Sequence, residues 1–178
     1  MGRTVLITGG SRSGKSSYAQ RSAEAVDGRR VFVATCPEID EEMTARIRRH
    51  KQAREGKGWE TLEESLKLSN TLRQVGDSGV ILIDCLTLWI NSLMYEAEQT
   101  ASEIDEDRIS WLAADLAATA KGVSATVFLV TNEVGSGIVP EHPSARLYRD
   151  LVGRCNQVVA SATDKVIMVV SGIPLEIK

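Results

Sequence analysis

The sequence predicts an α/β fold built on a mostly parallel, doubly wound sheet with helices on both faces. Two observations lead to this prediction. Short apolar runs rich in Val, Ile and Leu recur along the chain without alternating polar residues, which is typical of parallel strands that are covered on both faces. Helix-like segments separate these runs, and strands that alternate with helices imply right-handed crossovers within one sheet.

The predicted elements follow from these two patterns. The apolar runs predict buried strands at Val5–Thr8, Val31–Thr35, Val80–Asp84, Val127–Thr131 and Val166–Val170. The segments between and after them predict helices at Lys15–Val26, Asp40–Glu55, Glu63–Val75, Thr87–Glu98, Glu103–Lys121 and Ser144–Ala162. The tail Ile173–Ile177 is compatible with an antiparallel edge strand, because proline is tolerated at a sheet edge. No linker divides the sequence, so residues 1–178 are predicted to form one domain.

Composition and charge exclude several classes of protein. The 178 residues carry a formal net charge of -3, so nothing indicates general affinity for nucleic acid or for an acidic membrane. The three cysteines, Cys36, Cys85 and Cys155, form no CxxC pair. This argues against a disulfide framework or a zinc site and indicates a reducing cytoplasm. The apolar runs are too short for a signal peptide or a membrane span.

The clearest motif fits the phosphate-loop pattern G-x-x-x-x-G-K-[ST] in full: Gly9-Gly10-Ser11-Arg12-Ser13-Gly14-Lys15-Ser16. It follows the first predicted strand and opens the first predicted helix, as the motif requires. Gly9 and Gly14 let the backbone turn so that its amides face phosphate oxygens. We expect Lys15 to reach the β- and γ-phosphates of a nucleoside triphosphate and Ser16 to ligate Mg²⁺.

A second motif has the form of the metal-holding strand of P-loop proteins. It places an acid directly after four apolar residues, in Val80-Ile81-Leu82-Ile83-Asp84. We expect Asp84 at the carboxyl end of a central strand, beside the phosphate loop, where it can hold Mg²⁺ directly or through water. Many buried strands end in Asp, so this interpretation depends on the phosphate loop.

The predicted helix Asp40–Glu55 contains one of the two histidines of the chain. Acids crowd its start and bases crowd its end, which complements the helix dipole. Helical spacing places on one face Met43, Ile47, His50 and Arg54. The two apolar residues would pack against the protein and leave His50 and Arg54 at the end of that face. Neighbouring cations disfavour the charged imidazole and leave it nucleophilic. Spacing alone leaves two alternatives open, a catalytic His50 and a structural or exposed one.

Short blocks along the whole chain match one enzyme family. They comprise Thr8 with the phosphate loop, Ala34-Thr35-Cys36, Glu42-Met43, Arg46-Ile47, His50-Lys51, Trp59-Glu60-Thr61-Leu62-Glu63, Asp84-Cys85-Leu86-Thr87-Leu88-Trp89, Thr131-Asn132-Glu133-Val134-Gly135-Ser136-Gly137-Ile138-Val139-Pro140 and Ser171-Gly172-Ile173. In this order the blocks resemble the bifunctional adenosylcobinamide kinase / adenosylcobinamide-phosphate guanylyltransferase family of cobalamin biosynthesis. The combination is specific, whereas a phosphate loop alone is not.

The resemblance implies two reactions on a corrinoid substrate. In the first, the aminopropanol hydroxyl of adenosylcobinamide is phosphorylated with ATP or GTP. In the second, GMP passes from GTP onto that phosphate through a covalent guanylyl-histidine, which maps to His50. The products are adenosylcobinamide-GDP and pyrophosphate. The fold that the resemblance implies is a RecA-like P-loop NTPase domain, assembled as a homotrimer.

The motifs and the resemblance together give an expected set of site residues. Lys15 and His50 are the expected catalytic residues, and Ser16 and Asp84 are the expected metal ligands. The nucleotide contacts map to Gly9, Gly10, Ser11, Arg12, Ser13, Gly14, Lys15, Ser16, Ala34, Thr35, Cys36, Lys51, Gln52, Ala53, Arg54, Glu63 and Asp84.

Two other segments carry polar residues of interest. Asn132 and Glu133 follow a predicted strand at the edge where doubly wound sheets bind ligands, and Gly135 and Gly137 could form a substrate loop. The same segment also fits an ordinary connection between a strand and a helix. His142 lies in a loop bounded by prolines, and we expect it at the surface.

Three functions compete at this point. The first is the bifunctional phosphoryl- and nucleotidyltransferase, the second is a P-loop kinase of another small alcohol without nucleotidyl transfer, and the third is a non-enzymatic nucleotide switch. The histidine block and the block that begins at Asn132 favour the first. A switch usually needs a guanine-reading motif such as N-K-x-D, which the sequence lacks.

Overall fold

A mostly parallel sheet forms the centre of the computed structural model, which describes residues 2–36, 48 and 51–178. Its strands are β1 (Thr4–Thr8), β2 (Arg30–Ala34), β3 (Trp59–Glu63), β4 (Val80–Asp84), β5 (Thr126–Val130), β6 (Lys165–Val170) and β7 (Ile173–Glu176). Their order is β3-β2-β4-β5-β1-β6-β7. Every neighbouring pair is parallel except β6 and β7, which confirms the predicted parallel sheet with an antiparallel edge strand.

Helices cover both faces of this sheet. They are α1 (Lys15–Glu24), α2 (Leu68–Val75), α3 (Leu86–Gln99), α4 (Glu106–Gly122) and α5 (Pro143–Ala162), and residues 48 and 51–54 are also helical. Across the residues that the structure describes, no helix is both long and apolar enough to span a bilayer.

Alternation along each strand divides the core into two apolar layers. In β1, Val5 and Ile7 face α1 and pack in one cluster with Ala19 and Ala23. Leu6 faces the opposite side and packs in the cluster formed with α2, α3, α4 and α5. Because the central strands are apolar on both faces, the polar side chains that could contact a ligand lie at the strand ends.

The strand β3 was not predicted, and its presence corrects the predicted start of the helix that follows it. Residues of β3 pair in parallel with β2 along its whole length, whereas the sequence pattern predicts a helix that begins at Glu63. That prediction was wrong, because Glu63 ends β3 and α2 starts only at Leu68. The Glu64 carboxylate accepts hydrogen bonds from the amides of Leu66 and Lys67, at 2.8 and 2.9 Å, and so turns the chain between the two elements.

The other predicted elements agree with the observed ones to within a few residues at each end. The observed strand β2 ends at Ala34, one residue before the end of the predicted strand Val31–Thr35. The predicted helix Asp40–Glu55 lies mostly outside the described residues. From that segment the structure describes Arg48 and the helical residues 51–54.

Candidate nucleotide-binding and transfer site

The phosphate loop connects β1 to α1 with backbone geometry that only its glycines permit. Gly9 has a φ of 151° and Gly14 a φ of 89°. A Cβ at Gly9 would lie 2.5 Å from the Val169 carbonyl oxygen and 2.7 Å from Ser13 Oγ, so a larger residue does not fit there. The Ser13 carbonyl accepts a hydrogen bond of 2.8 Å from the amide of Gly172. The loop is therefore held against β6 and the turn that follows it.

The positive charge of the loop is kept close to its backbone. Lys15 is the first residue of α1 and only 6% exposed, and its ammonium donates a 3.1 Å hydrogen bond to the Gly10 carbonyl. The hydroxyls of Thr8 and Ser13 are buried and have no hydrogen-bond partner among the described residues. Because buried hydroxyls without partners are costly, a phosphate group at this loop would relieve that cost. The arrangement suits an anion.

The expected metal ligand Asp84 lies at the same edge of the sheet as the phosphate loop. It ends β4 and pairs in register with Ala34 of β2 and Val130 of β5. The strand β5 lies between β4 and β1, so Asp84 is one strand removed from the loop. All these strands are parallel, and their carboxyl ends therefore form one continuous edge.

The sequence predicts two oxygen donors for a divalent cation. They are the Ser16 hydroxyl and the Asp84 carboxylate, and both residues are partly exposed. Within the described ranges, no group of three or more His, Cys, Asp or Glu side chains could hold a metal ion. Mg²⁺ takes one or two protein oxygens and completes its shell with phosphate oxygens and water. This sparse donor set therefore fits Mg²⁺ that arrives with a nucleotide better than a metal held by protein alone.

Thr35 is placed to support the edge of the sheet rather than to face a ligand with its side chain. It is fully buried, and its hydroxyl donates to the Cys85 carbonyl at 2.8 Å and accepts from the Cys85 amide at 2.6 Å. This pair of bonds joins the end of β2 to the residue after Asp84. Any nucleotide contact by Ala34-Thr35-Cys36 would thus use the backbone or Cys36, which is partly exposed.

Residues 51–54, which follow His50 in the sequence, are fixed against the sheet by the side chain of Arg54. Its side chain is only 5% exposed, and its guanidinium carbon lies 3.5 Å from the centroid of the Phe32 ring. Burial lowers the pKa of Arg54, an effect that the charge of Asp84 opposes. Nε and Nη1 of Arg54 have no hydrogen-bond partner among the described residues. A buried cation with unpaired N–H groups favours an anionic partner.

Other members of the expected nucleotide set meet on the same side of the sheet. Lys51 Nζ lies 3.0 Å from Glu63 Oε1, and both groups are largely exposed. The side-chain amide of Gln20 on α1 donates a 3.0 Å hydrogen bond to the backbone carbonyl of Ala53. The structure thus joins residues 51–54 to the end of β3 and to α1, the helix that begins at the phosphate loop.

The residue expected to form the covalent intermediate, His50, lies outside the described residues, as do Met43 and Ile47. The face that these residues were predicted to share is described only at Arg54. That residue is buried against Phe32. The second histidine, His142, is exposed, as predicted, and precedes α5 with its Nδ1 2.8 Å from Ser144 Oγ.

Sequence reasoning missed a buried polar network behind Asp84. The Cys85 thiol lies 2.9 Å from Thr87 Oγ1, and Asn132 donates 3.0 Å to that same hydroxyl. Tyr148 donates 3.3 Å to the Thr87 carbonyl, and burial raises the pKa of Cys85 to about 11. Short polar residues follow two of the apolar strands in the sequence. Which of them contact each other depends on the order of the strands in the sheet.

The segment after β5 begins directly beside the phosphate loop. The amide of Glu133 donates a 3.2 Å hydrogen bond to the carbonyl of Gly9, the first residue of that loop. The Glu133 carboxylate accepts 2.9 Å from the amide of Gly135, and Arg149 of α5 donates 2.7 Å to the Gly135 carbonyl. The segment is therefore an anchored turn at the ligand edge of the sheet.

A separate groove of about 1560 Å³ opens between α3 and the start of α5. Its described lining includes Leu66, Tyr95, Ile104, Leu147 and Tyr148, and none of it comes from the phosphate loop. The groove is mainly apolar and is distinct from the nucleotide edge.

The fold and the site together define a P-loop nucleotide-binding protein of the RecA-like type. A solved ATPase from the type III secretion system of pathogenic bacteria is similar over 94% of this chain and 51% of its own, with a TM-score of 0.56 and 14% identity. The chain spans about half of that ATPase. At this identity the similarity bears on the fold alone, and it confirms the predicted fold class.

The chain belongs to the cobinamide kinase / cobinamide phosphate guanyltransferase family, whose model matches residues 5–177. The bifunctional adenosylcobalamin biosynthesis protein CobU of Escherichia coli is 39% identical over 98% of this chain and 99% of its own. The protein of the same description from Salmonella typhimurium is 38% identical, with the same coverage. The CobP protein of Pseudomonas aeruginosa is 38% identical over 97% of this chain and 96% of its own. The predicted family and its two activities are thereby confirmed.

Proposed function

We propose that this chain catalyses two consecutive reactions at one nucleotide site. It phosphorylates the aminopropanol hydroxyl of adenosylcobinamide with ATP or GTP, and it then transfers GMP from GTP to give adenosylcobinamide-GDP and pyrophosphate. The observation that carries the proposal is the family match over residues 5–177, in a chain whose phosphate loop has the required geometry. A P-loop kinase of another small alcohol is not favoured, because the relatives match along nearly the whole chain.

In the kinase reaction the phosphate loop orients the triphosphate for attack by the substrate hydroxyl. The Lys15 ammonium neutralises charge that develops between the β- and γ-phosphates. Ser16 and Asp84 would hold Mg²⁺, which would offset the negative charge of the phosphates. The buried cation of Arg54, with its unpaired N–H groups, and the exposed Lys51 and Glu63 would contact other parts of the nucleotide.

In the guanylyltransferase reaction His50 is the nucleophile. A neutral imidazole nitrogen attacks the α-phosphorus of GTP, the bond to the bridging oxygen breaks, and pyrophosphate leaves with that electron pair. The phosphate of adenosylcobinamide phosphate then displaces the imidazole and receives the GMP.

The histidine assignment is tested with α-labelled GTP. The wild type should become labelled, and the label should survive a denaturing gel and be released by acid, as expected for a phosphoramidate. His50→Ala should lose the label but keep kinase activity, since phosphoryl transfer to an alcohol needs no covalent histidine. His142→Ala is the matched control and should keep the label. A labelled His50→Ala variant, or an unlabelled His142→Ala variant, would show that the nucleophile is misassigned.

We further propose that the enzyme is a cytoplasmic homotrimer. The described cysteines are unbridged thiols, which suits a reducing compartment. The edge strand β7 exposes large apolar side chains, with Ile173 64% and Leu175 52% exposed. Exposed apolar groups on an edge strand favour association with another chain, and the bulky corrinoid would gain a second wall from a neighbouring subunit.

A further inference from the structure

Transfer of a phosphoryl group to an alcohol needs a group that accepts the hydroxyl proton, and no residue considered so far supplies it. Asp84 is assigned to the metal. The residue after it, Cys85, is buried and its thiol is engaged with Thr87. Glu63 is paired with Lys51. Among the described residues, we therefore looked for a general base at another strand end of this edge.

Glu133 lies at the position that the sheet order selects. The strand β5 is placed between β1, which carries the phosphate loop, and β4, which carries Asp84. Three residues after β5 ends, the Glu133 amide donates to the Gly9 carbonyl at 3.2 Å. The backbone of Glu133 is thus in direct contact with the loop that holds the transferred phosphate. The intervening Asn132 is unsuited to the role because its amide is committed to Thr87.

The carboxylate of Glu133 is held in place yet open to a substrate. One oxygen, Oε1, accepts 2.9 Å from the Gly135 amide, and Arg149 fixes the same turn through the Gly135 carbonyl. Among the described residues no hydrogen bond is found to Oε2, and the residue is exposed. The same segment continues into Ile138 and Val139, which are 97% and 60% exposed. An apolar surface beside the carboxylate suits a large organic acceptor.

We propose that Glu133 is the general base of the kinase reaction, a role that rests on the proposed function. Its carboxylate takes the proton of the aminopropanol hydroxyl as the oxygen forms a bond to the γ-phosphorus. The bond from that phosphorus to the β–γ bridging oxygen breaks, and its electron pair leaves with the nucleoside diphosphate. The protonated carboxyl returns its proton to water. The guanylyltransferase reaction does not need this base, because an imidazole and a phosphate are its nucleophiles.

Glu133→Gln separates a base from a structural role. The amide oxygen of Gln can still accept the hydrogen bond from Gly135 but cannot take a proton, so the turn is kept and the basicity is lost. We expect kinase kcat to fall by about 10²-fold or more, with labelling by α-labelled GTP and nucleotide KM close to those of the wild type. Glu133→Asp should recover part of the kinase activity. Glu141→Gln, an exposed glutamate in the same connection, should leave both reactions unchanged.

The outcomes distinguish this assignment from the proposed function. If the wild type phosphorylates adenosylcobinamide and Glu133→Gln does so within about twofold, the assignment is overturned and the function stands. Equal losses of kinase activity and of guanylylation in Glu133→Gln would also overturn it, since they indicate a damaged loop. A wild type that does not phosphorylate adenosylcobinamide overturns the proposed function, and the base assignment with it.

Discussion

At the scale of single residues, the candidate site includes buried N–H and hydroxyl groups that have no hydrogen-bond partner among the described residues. The Arg54 guanidinium is buried over Phe32 with two unpaired nitrogens, and the Ser13 hydroxyl is buried without a partner among the described residues. Each such group costs free energy in the folded chain. A nucleotide phosphate would offset that cost, so binding and stability should be coupled at these positions.

Arg54→Leu should expose that coupling. Leucine keeps an apolar contact with Phe32 and removes a buried, unpaired cation, so the nucleotide-free protein should be as stable as the wild type or more stable by about 1 kcal/mol. The rise in Tm on addition of GTP should shrink, because the anionic ligand loses its buried partner. Differential scanning fluorimetry with and without GTP measures both effects.

Arg21→Leu, at an exposed position on α1, is the matched control for that experiment and should leave the GTP-induced rise unchanged. A full GTP-induced rise in Arg54→Leu would mean that Arg54 contributes to packing and does not contact the nucleotide.

At the scale of elements, the central strands and the helices between them could be predicted because their sequences are strongly patterned. The strand β3 could not, since Trp59-Glu60-Thr61-Leu62-Glu63 mixes acidic and apolar residues as edge strands do, and its pairing with β2 is a tertiary contact. Glu64, which turns the chain before α2, reads equally well as a helical residue.

The candidate site likewise contains features that local sequence predicts and features that depend on tertiary contacts. The phosphate loop is a local motif, so its geometry could be predicted from sequence. The position of Asp84 at the ligand edge of the sheet could also be predicted, because Asp84 ends an apolar strand. The burial of Arg54 and the polar network around Thr87 depend on which strands are neighbours, which local spacing does not contain. The choice of His50 came from resemblance, because spacing alone favoured a structural or exposed histidine.

One contact between elements predicts how stability depends on pH. The Asp164 carboxylate, just before β6, accepts 2.7 Å hydrogen bonds from the amide and the hydroxyl of Thr4 in β1. These bonds hold the pKa of Asp164 below its usual value of 3.8. Because the folded pKa is lower than the unfolded one, the stabilisation is present above the unfolded pKa and is lost as pH falls through the folded pKa.

Asp164→Asn should therefore lower the free energy of unfolding at neutral pH by about 1 kcal/mol. The difference from the wild type should diminish in acid, below about pH 4. Urea denaturation at several pH values measures it, and Asp27→Asn, at an exposed position before β2, serves as the control. A difference that persists unchanged in acid would rule out the ionised carboxylate as its cause.

At the scale of the whole molecule, the candidate site residues lie along one edge of the sheet, and the two apolar layers lie on its faces. The phosphate loop, Asp84 and Glu133 follow three parallel strands that are adjacent in the order β4-β5-β1. Residues that are far apart in the sequence are thereby brought to one ligand edge. A single nucleotide site with two different acceptors is consistent with the family description of a kinase and a guanyltransferase.

The exposed apolar side chains of β7 allow a test of the proposed homotrimer. Light scattering of the purified chain should give three times the monomer mass of 19.4 kDa, and Leu175→Lys, on β7, should shift the population towards smaller species because it places a charge on the edge strand. A wild type that stays at the monomer mass at working concentrations would contradict the homotrimer.

The most direct test of the central claim is the set of products formed by one chain from adenosylcobinamide. With ATP alone we expect adenosylcobinamide phosphate as the end product, and with GTP we expect adenosylcobinamide-GDP and pyrophosphate, both identified by mass spectrometry. Lys15→Ala should abolish both products, since both reactions use the same phosphate loop. Formation of the phosphate without any GDP adduct in the presence of GTP, or near-normal turnover by Lys15→Ala, would contradict the account.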